Sequence, residues 1–277
     1  RWTDRSRQAR DKYTADQVTG LSAELKRASD DVRVEMRRFE EIAERTPGQA
    51  ARLKHLKALK QNIDKVGAEL ETRLTLLAPE QVEGAVKLGI RDGAGELREI
   101  KVPAYTSLTA PGLDKLAATV FSRIDKQALD FLVNFRLELM GDVADQLKRD
   151  IKSRVSSGII SGKSIPDISR DIGEVITDED AFRHAGRTVF KSAQYRVKMI
   201  ARTETLRAHN QGRLKFYEQA GVKKVKWLTA DDERVCSICG PLDGKVFDLA
   251  GFAGPPRHPR CRCISAALSS GPLQDSI

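Results

Sequence analysis

Apolar residues in the first eighty positions return at helical intervals. Leu21, Leu25, Val32, Met36 and Phe39 recur among charges between about Ala15 and Glu44, which puts them on one side of a helix. Thr46-Pro47-Gly48 interrupts the pattern. A second run spaces Leu56, Ile63, Leu70 and Leu77 seven apart, with Leu53, Leu59 and Val66 between them. Two long amphipathic helices folded back as an antiparallel hairpin are therefore expected over residues 1–80, as a packing device. Residues 81–112 read as an irregular connection: Gly84, Gly89, Gly93, Gly95, Val102-Pro103 and Pro111-Gly112 suggest loops and a short hairpin.

Regularity returns at Leu113. Phe131, Phe135, Leu139, Val143, Leu147, Ile151 and Val155 keep a strict spacing of four, and a period of four drifts around a helix, so this stripe should wind across its partner. Gly158 and Gly162 interrupt it. Ser164 is placed to cap a short helix with Pro166 just inside and Ile168, Ile172 and Ile176 on one side. Asp178-Glu179-Asp180 then puts negative charge where a further helix should start. That helix is expected from about Asp180 to Ala220, with Ala185, Val189, Ala193, Val197 and Ile200 on its apolar side, an optional break near Asn210–Gly212, and Gly221 as terminator. Residues 113–221 thus form a helical part. Val225, Trp227 and Thr229 alternate with other residues as in a half-buried strand, opening a small α/β module over 222–268. The tail, 269–277, is expected to be disordered. The fold class is mainly α, with long amphipathic helices and a small C-terminal module able to hold a metal.

Composition agrees with surface-rich helices: charged residues make up 31%, hydrophobic ones 40% and aromatics only 5%. Charges interrupt every apolar run well before a membrane span could form. The net charge of +9 is unevenly placed. Residues 185–265 carry 16 lysines and arginines against 7 acidic residues, whereas 61–184 carry 17 against 21. Lys223, Lys224, Lys226, Arg257, Arg260 and Arg262 are the candidates for a surface meeting nucleic acid or an acidic protein, set against a plain solvated face.

All four cysteines fall between Cys236 and Cys263, and such clustering suggests a local site rather than a secreted disulfide scaffold. Cys236-x-x-Cys239 and His258-x-x-Cys261 could complete a closed tetrahedral zinc site. Five donors are present, so one is surplus. Cys236, Cys239, His258 and Cys261 are the favoured set, because Cys261-x-Cys263 is a poorer chelate in an extended segment and leaves Cys263 as the spare or as an exchange for His258. Two disulfides, or reduced cysteines merely packed, remain the alternatives.

Ile200-Ala201-Arg202-Thr203-Glu204-Thr205, Ala208-His209-Asn210-Gln211-Gly212 and Tyr217 resemble a helix of the phage Mu F-like head-morphogenesis family. So do Lys226-Trp227-Leu228-Thr229-Ala230-Asp231-Asp232-Glu233-Arg234-Val235-Cys236 and the ending Pro255-Pro256-Arg257-His258-Pro259-Arg260-Cys261-Arg262-Cys263. The resemblance spans roughly 115–268 and is strongest from 196 onward. It implies a minor capsid protein of a tailed phage or prophage, carried in the virion at the portal vertex and present in the host cytoplasm during assembly. Its partners would be the portal protein or the major capsid protein, with packaged DNA bound without sequence preference; no membrane or small-molecule substrate is expected. Some relatives carry an extra C-terminal toxin or transferase domain, and none is expected here after Cys263.

Arg202 and Glu204 do not face each other along a helix and are expected to clamp it to the Asp231-Asp232-Glu233-Arg234 turn, with Trp227 as core anchor. No nucleophile motif or phosphate-cradling loop is visible, and no catalytic residues are assigned. The alternatives are a basic zinc-containing nucleic-acid-binding protein and, further off, a nuclease-like enzyme using Glu204, His209 and Asp231.

Overall fold

The computed structural model describes residues 2–268 apart from 46–48, 162, 178–180, 185–186 and 191. The expected 269–277 tail, the Thr46-Pro47-Gly48 break and the Asp178-Glu179-Asp180 cap lie outside the described residues. The fold is mainly helical, with α1 (Trp2–Arg45), α2 (Gln49–Glu99), α3 (Ala110–Phe121), α4 (Lys126–Ile160), α5 (Ile165–Thr177) and α6 (Ala193–Gln219). The strands are β1 (Ala181–His184), β2 (Arg187–Phe190), β3 (Lys224–Leu228), β4 (Val246–Asp248) and β5 (Ile264–Leu268). Among the described residues no helix is long and apolar enough to cross a membrane. The chain divides into two compact units, Arg1–Gln17 with Pro79–Asn134 and Ala201–Ile277, and Val18–Ala78 with Phe135–Ile200.

In the unit of 18–78 and 135–200, α1 and α2 run antiparallel as expected. Glu35 accepts from Asn62 at 2.6 Å and Glu24 pairs with Arg73 at 3.1 Å, so eleven steps forward on one helix match eleven back on the other. Leu21, Leu25, Val32 and Met36 are buried, as are Ile63, Leu70 and Leu74. On α4 the stripe winds as its period requires: Val143, Leu147, Ile151 and Val155 are buried, while Leu139 is half-buried. Ser164 caps α5, accepting from Asp167 N–H and donating to its carboxylate at 2.6 Å. Ile168, Ile172 and Ile176 form the buried side.

Two expectations are corrected. First, α2 does not stop near residue 80 but runs to Glu99, through Pro79 and all four glycines taken for loop signals. Gly84, Gly89 and Gly93 serve close approach rather than turning. A Cβ on Gly89 would stand 2.8 Å from the carbonyl carbon of His209 on α6, and one on Gly212 of α6 would stand 3.0 Å from that of Val86. Backbone lies against backbone at this crossing, and α6 passes unbroken through Asn210–Gly212. Second, α6 starts at Ala193, not near Asp180; β1 and β2 pair as a hairpin before it. Phe182, Thr188, Val189 and Phe190 are strand-favouring types. Ser192 supplies the true cap, its hydroxyl accepting from Tyr195 N–H at 3.2 Å.

The unit of 1–17, 79–134 and 201–268 is centred on this α2–α6 crossing, with Val86, Ile90, Leu97, Val120, Phe216 and Tyr217 in its core. A ladder of buried polar pairs accompanies the apolar contacts. His209 bonds Asp92 at 2.9 Å, and Arg213 bonds Glu96 at 2.7 Å. Ser6 of α1 donates to Asp92 at 2.6 Å, and Tyr217 hydroxyl donates to Glu96. Burial holds the His209 imidazole below its usual range against the pull of Asp92. Burial also pushes Asp92 upward, yet the bonds from His209 and Ser6 outweigh it and keep the carboxyl below its usual range. Gly221, with φ of +75°, ends α6 as expected: its N–H reaches Glu218 carbonyl and Val222 N–H reaches Tyr217 carbonyl.

Candidate metal centre

β3 is the floor of the Cys/His module. It lies between β4 and β5, antiparallel to both, with Lys226 opposite Val246 on one side and Ala266 on the other. The expected alternation holds: Val225, Trp227 and Thr229 are buried. Trp227 meets Phe252 edge-on at 6.2 Å, and Phe252 stacks on Phe247 at 5.0 Å. The indole is therefore the core anchor that the sequence suggested. Asp243 fastens the end of β3, its Oδ1 accepting from Thr229 N–H at 2.7 Å and Thr229 hydroxyl at 2.9 Å.

Beyond β3 the chain turns through Asp231, in the left-handed region at φ +55°, and enters Cys236-Ser-Ile-Cys239. Cys239 N–H donates to Cys236 carbonyl at 3.2 Å and to its sulfur at 3.4 Å. That turn points both sulfurs one way. His258-Pro-Arg-Cys261 makes a second turn of the same kind, Cys261 N–H donating to His258 carbonyl at 3.2 Å. His258 Nε2 lies 3.1 Å from Cys236 Sγ and 3.2 Å from Cys239 Sγ. Its Nδ1 lies 2.8 Å from Pro259 carbonyl, which can only accept, so Nδ1 carries the proton and Nε2 presents its lone pair to the sulfurs.

Cys239 Sγ is 3.8 Å from Cys261 Sγ. Two sets share Cys239: Cys236, Cys239 and His258, and Cys239, Cys261 and Cys263, the donor atoms of each lying within 4.8 Å of one another. The Cys261-x-Cys263 pair is thus less spread than an extended segment would give, because Cys263 precedes the strand and Cys261 is in the turn. All four cysteines are unbridged. Burial pushes the Cys239 thiol up to about 12. A hydrogen bond from Cys263 brings Cys261 down to about 5 and drives Cys263 itself upward. Thiolate, thiols and an imidazole lone pair make a soft donor set suited to a thiophilic cation.

The clamp is not the one expected. Arg202 is exposed, Glu204 is buried and pairs with Arg207 at 2.9 Å, and Asp231 is exposed. The two turns are instead tied by Asp232, which takes Arg262 at 2.5 and 2.6 Å and also Arg234. Hydrogen bonding to Arg262 holds the Asp232 carboxyl well below the usual carboxylate range. Arg262 is therefore committed inside the module, whereas Lys223, Lys224, Arg257 and Arg260 are exposed and Lys226 is half-buried. The sequence reading missed Thr203 and Thr205. Thr203 hydroxyl accepts from Arg260 N–H at 3.1 Å, seating the second turn on α6, and Thr205 donates to Gln17 of α1 at 2.9 Å. Their signal was two threonines, indifferent helix formers, inside a long helix. His209 is wholly buried. Glu204, His209 and Asp231 thus have separate settings and do not make a shared acid–base site.

A helix seating a Cys/His module on a three-stranded sheet is the class of protein these features define. Residues 149–266 match the model of the family described as Phage Mu protein F like protein, which bears out the resemblance to the Mu F-like head-morphogenesis family over that segment. The match begins later than the resemblance suggested. A curated relative from Haemophilus influenzae, carried under the name "Uncharacterized protein", is 24% identical over 132 residues, covering 46% of this chain and 26% of its own. The chain therefore spans about a quarter of that relative's length. No solved structure matches.

Proposed function

We propose that this chain is a structural component of a tailed-phage or prophage head, bound at the portal vertex, where it assists head assembly and DNA packaging or ejection. The observation that carries this reading is the family match over 149–266, which takes in α5, α6 and the whole Cys/His module up to Ala266. Two features of the site support it. Glu204 and His209 are engaged in separate pairs with Arg207 and Asp92, and the exposed Lys223, Lys224, Arg257 and Arg260 offer a cationic surface to an acidic partner. That partner is the portal protein.

The test is co-purification with the portal protein, together with cryo-EM of assembled heads. Replacing Lys223, Lys224 and Lys226 by Gln should abolish the portal interaction while leaving the helical circular dichroism unchanged. The basic surface also motivates a second reading, non-specific duplex DNA binding. In that case affinity falls with salt at a slope of about −0.9 per phosphate neutralised, and the triple variant flattens the slope. Steep salt-dependent DNA binding without portal capture would overturn the portal reading, and heads with no density for this chain would overturn the structural role.

A further inference from the structure

We infer that Cys236, Cys239, His258 and Cys261 form a structural zinc site, closed by four protein ligands, and that Cys263 stands beside it as a thiol outside the coordination shell. The geometry carries the assignment. Zinc bonds of about 2.3 Å to sulfur and 2.0–2.1 Å to nitrogen give a tetrahedron with edges of about 3.8 Å between sulfurs and about 3.6 Å between sulfur and nitrogen. The Cys239–Cys261 separation is 3.8 Å, and the two sulfur–imidazole separations are 3.1 and 3.2 Å, within about half an ångström of those edges; Cys261 stands outside the 4.8 Å set of Cys236, Cys239 and His258 and closes the tetrahedron by moving toward it.

Two further observations separate a metal site from a chance cluster. The pairs Cys236/Cys239 and His258/Cys261 sit on twin turns, each closed by an N–H of the fourth residue on the carbonyl of the first at 3.2 Å. The first turn and His258 bring three donors within 4.8 Å of one another, and Cys261 joins them through Cys239. His258 Nδ1 is spent on Pro259 carbonyl, the outer-shell bond that fixes the tautomer of a ligating histidine and frees Nε2 for the metal.

Cys263 is the harder assignment, since it lies within 4.8 Å of Cys239 and Cys261 and borders a void of about 20 Å³ beside Cys236, Cys239 and His258. Its backbone decides the matter. Cys263 carbonyl is held by Asn210, and the next residue, Ile264, already pairs with Leu228 in the sheet. Cys261 belongs to no strand and shares its turn with His258, already a member of the first donor set, so the fourth position is assigned to it. Sulfur-rich ligation with one imidazole and no open position selects zinc over harder cations and gives a structural rather than catalytic site. The site stands whether or not the chain binds a portal.

The experiment is metal analysis of the full chain, with cobalt(II) as the spectroscopic probe. Purified protein should hold one zinc per chain, and cobalt-loaded protein should show the intense visible bands of tetrahedral coordination with thiolate charge transfer. Cys236→Ser, Cys239→Ser, His258→Ala and Cys261→Ser should each lose stoichiometric zinc, while Cys263→Ala keeps it and leaves the cobalt spectrum unchanged. Because a ligand variant can also lose metal by unfolding, the Cys263→Ala spectrum is the deciding measurement. A changed spectrum there, with Cys261→Ser still tetrahedral, overturns the ligand set. Failure of the unaltered protein to take up zinc or cobalt overturns the site.

Discussion

Replacing Gly89 by Ala tests whether the α2–α6 crossing is set by backbone contact. The new methyl carbon would stand 2.8 Å from the His209 carbonyl carbon and closer still to its oxygen. Carbon atoms rest at about 3.5–4.0 Å, so the helices must part by about 1 Å. Such overpacking costs about 1–3 kcal/mol. The same displacement stretches the His209–Asp92 and Arg213–Glu96 bonds, now 2.9 and 2.7 Å, and each buried group left poorly bonded costs about 1–3 kcal/mol more. Helix propensity returns only about 1 kcal/mol for a glycine-to-alanine change. The net expectation is a loss of about 2–4 kcal/mol. Gly20 of α1 is the control, since a Cβ there meets nothing within 4 Å; Gly20→Ala should stabilise by about 0.5–1 kcal/mol. Urea unfolding followed by circular dichroism and tryptophan fluorescence reads both. A Gly89→Ala protein as stable as the parent would refute the contact argument.

Ser164→Ala should cost about 1 kcal/mol by removing the α5 cap, read as faster hydrogen exchange in the first turn of α5; unchanged exchange there denies the cap its role. His209 is buried with its affinity for protons lowered from 6.5, so the unfolded chain protonates first as pH falls. Stability is therefore fully present above about pH 6.5 and declines as pH falls below it, with Asp92 adding to the loss once pH drops through the range around 3.8. The thermal midpoint should fall between pH 7 and 5, and a flat profile there would contradict the assignment. Asp243→Ala should loosen the end of β3 by leaving Thr229 N–H and hydroxyl without their acceptor, at about 1–3 kcal/mol; an unchanged urea midpoint would count against it.

Helical periodicity carried most of the fold. The wound stripe of α4, the isoleucine side of α5 and the alternation of β3 all followed from spacing alone, because one buried face per element dictates the pattern. Glycine was the misleading signal. In isolation Gly84, Gly89, Gly93 and Gly95 read as loop residues, and only the folded chain shows that Gly89 makes room for the backbone of α6, Gly84 for the Tyr13 ring and Gly93 for Phe216. Alanine and valine at positions 185 and 189 fell by chance on the helical period, which hid the β1–β2 hairpin and the Ser192 cap. The Cys/His cluster was legible because its spacing is local. The Asp232–Arg262 tie and the Thr203 seat were not, since both join residues about thirty and sixty positions apart whose pairing exists only after the chain has folded.

The interleaving of the two units has a consequence for how the chain acquires structure as it is made. Domains form as units while synthesis proceeds. The unit of 18–78 and 135–200 has all its residues once position 200 has emerged, but the other waits for β5. During that interval Asp92 and Glu96 of α2 lack His209, Arg213 and the Ala267 N–H that later satisfies Glu96. Glu96, destined for burial, therefore lacks one of its donors until the last strand arrives.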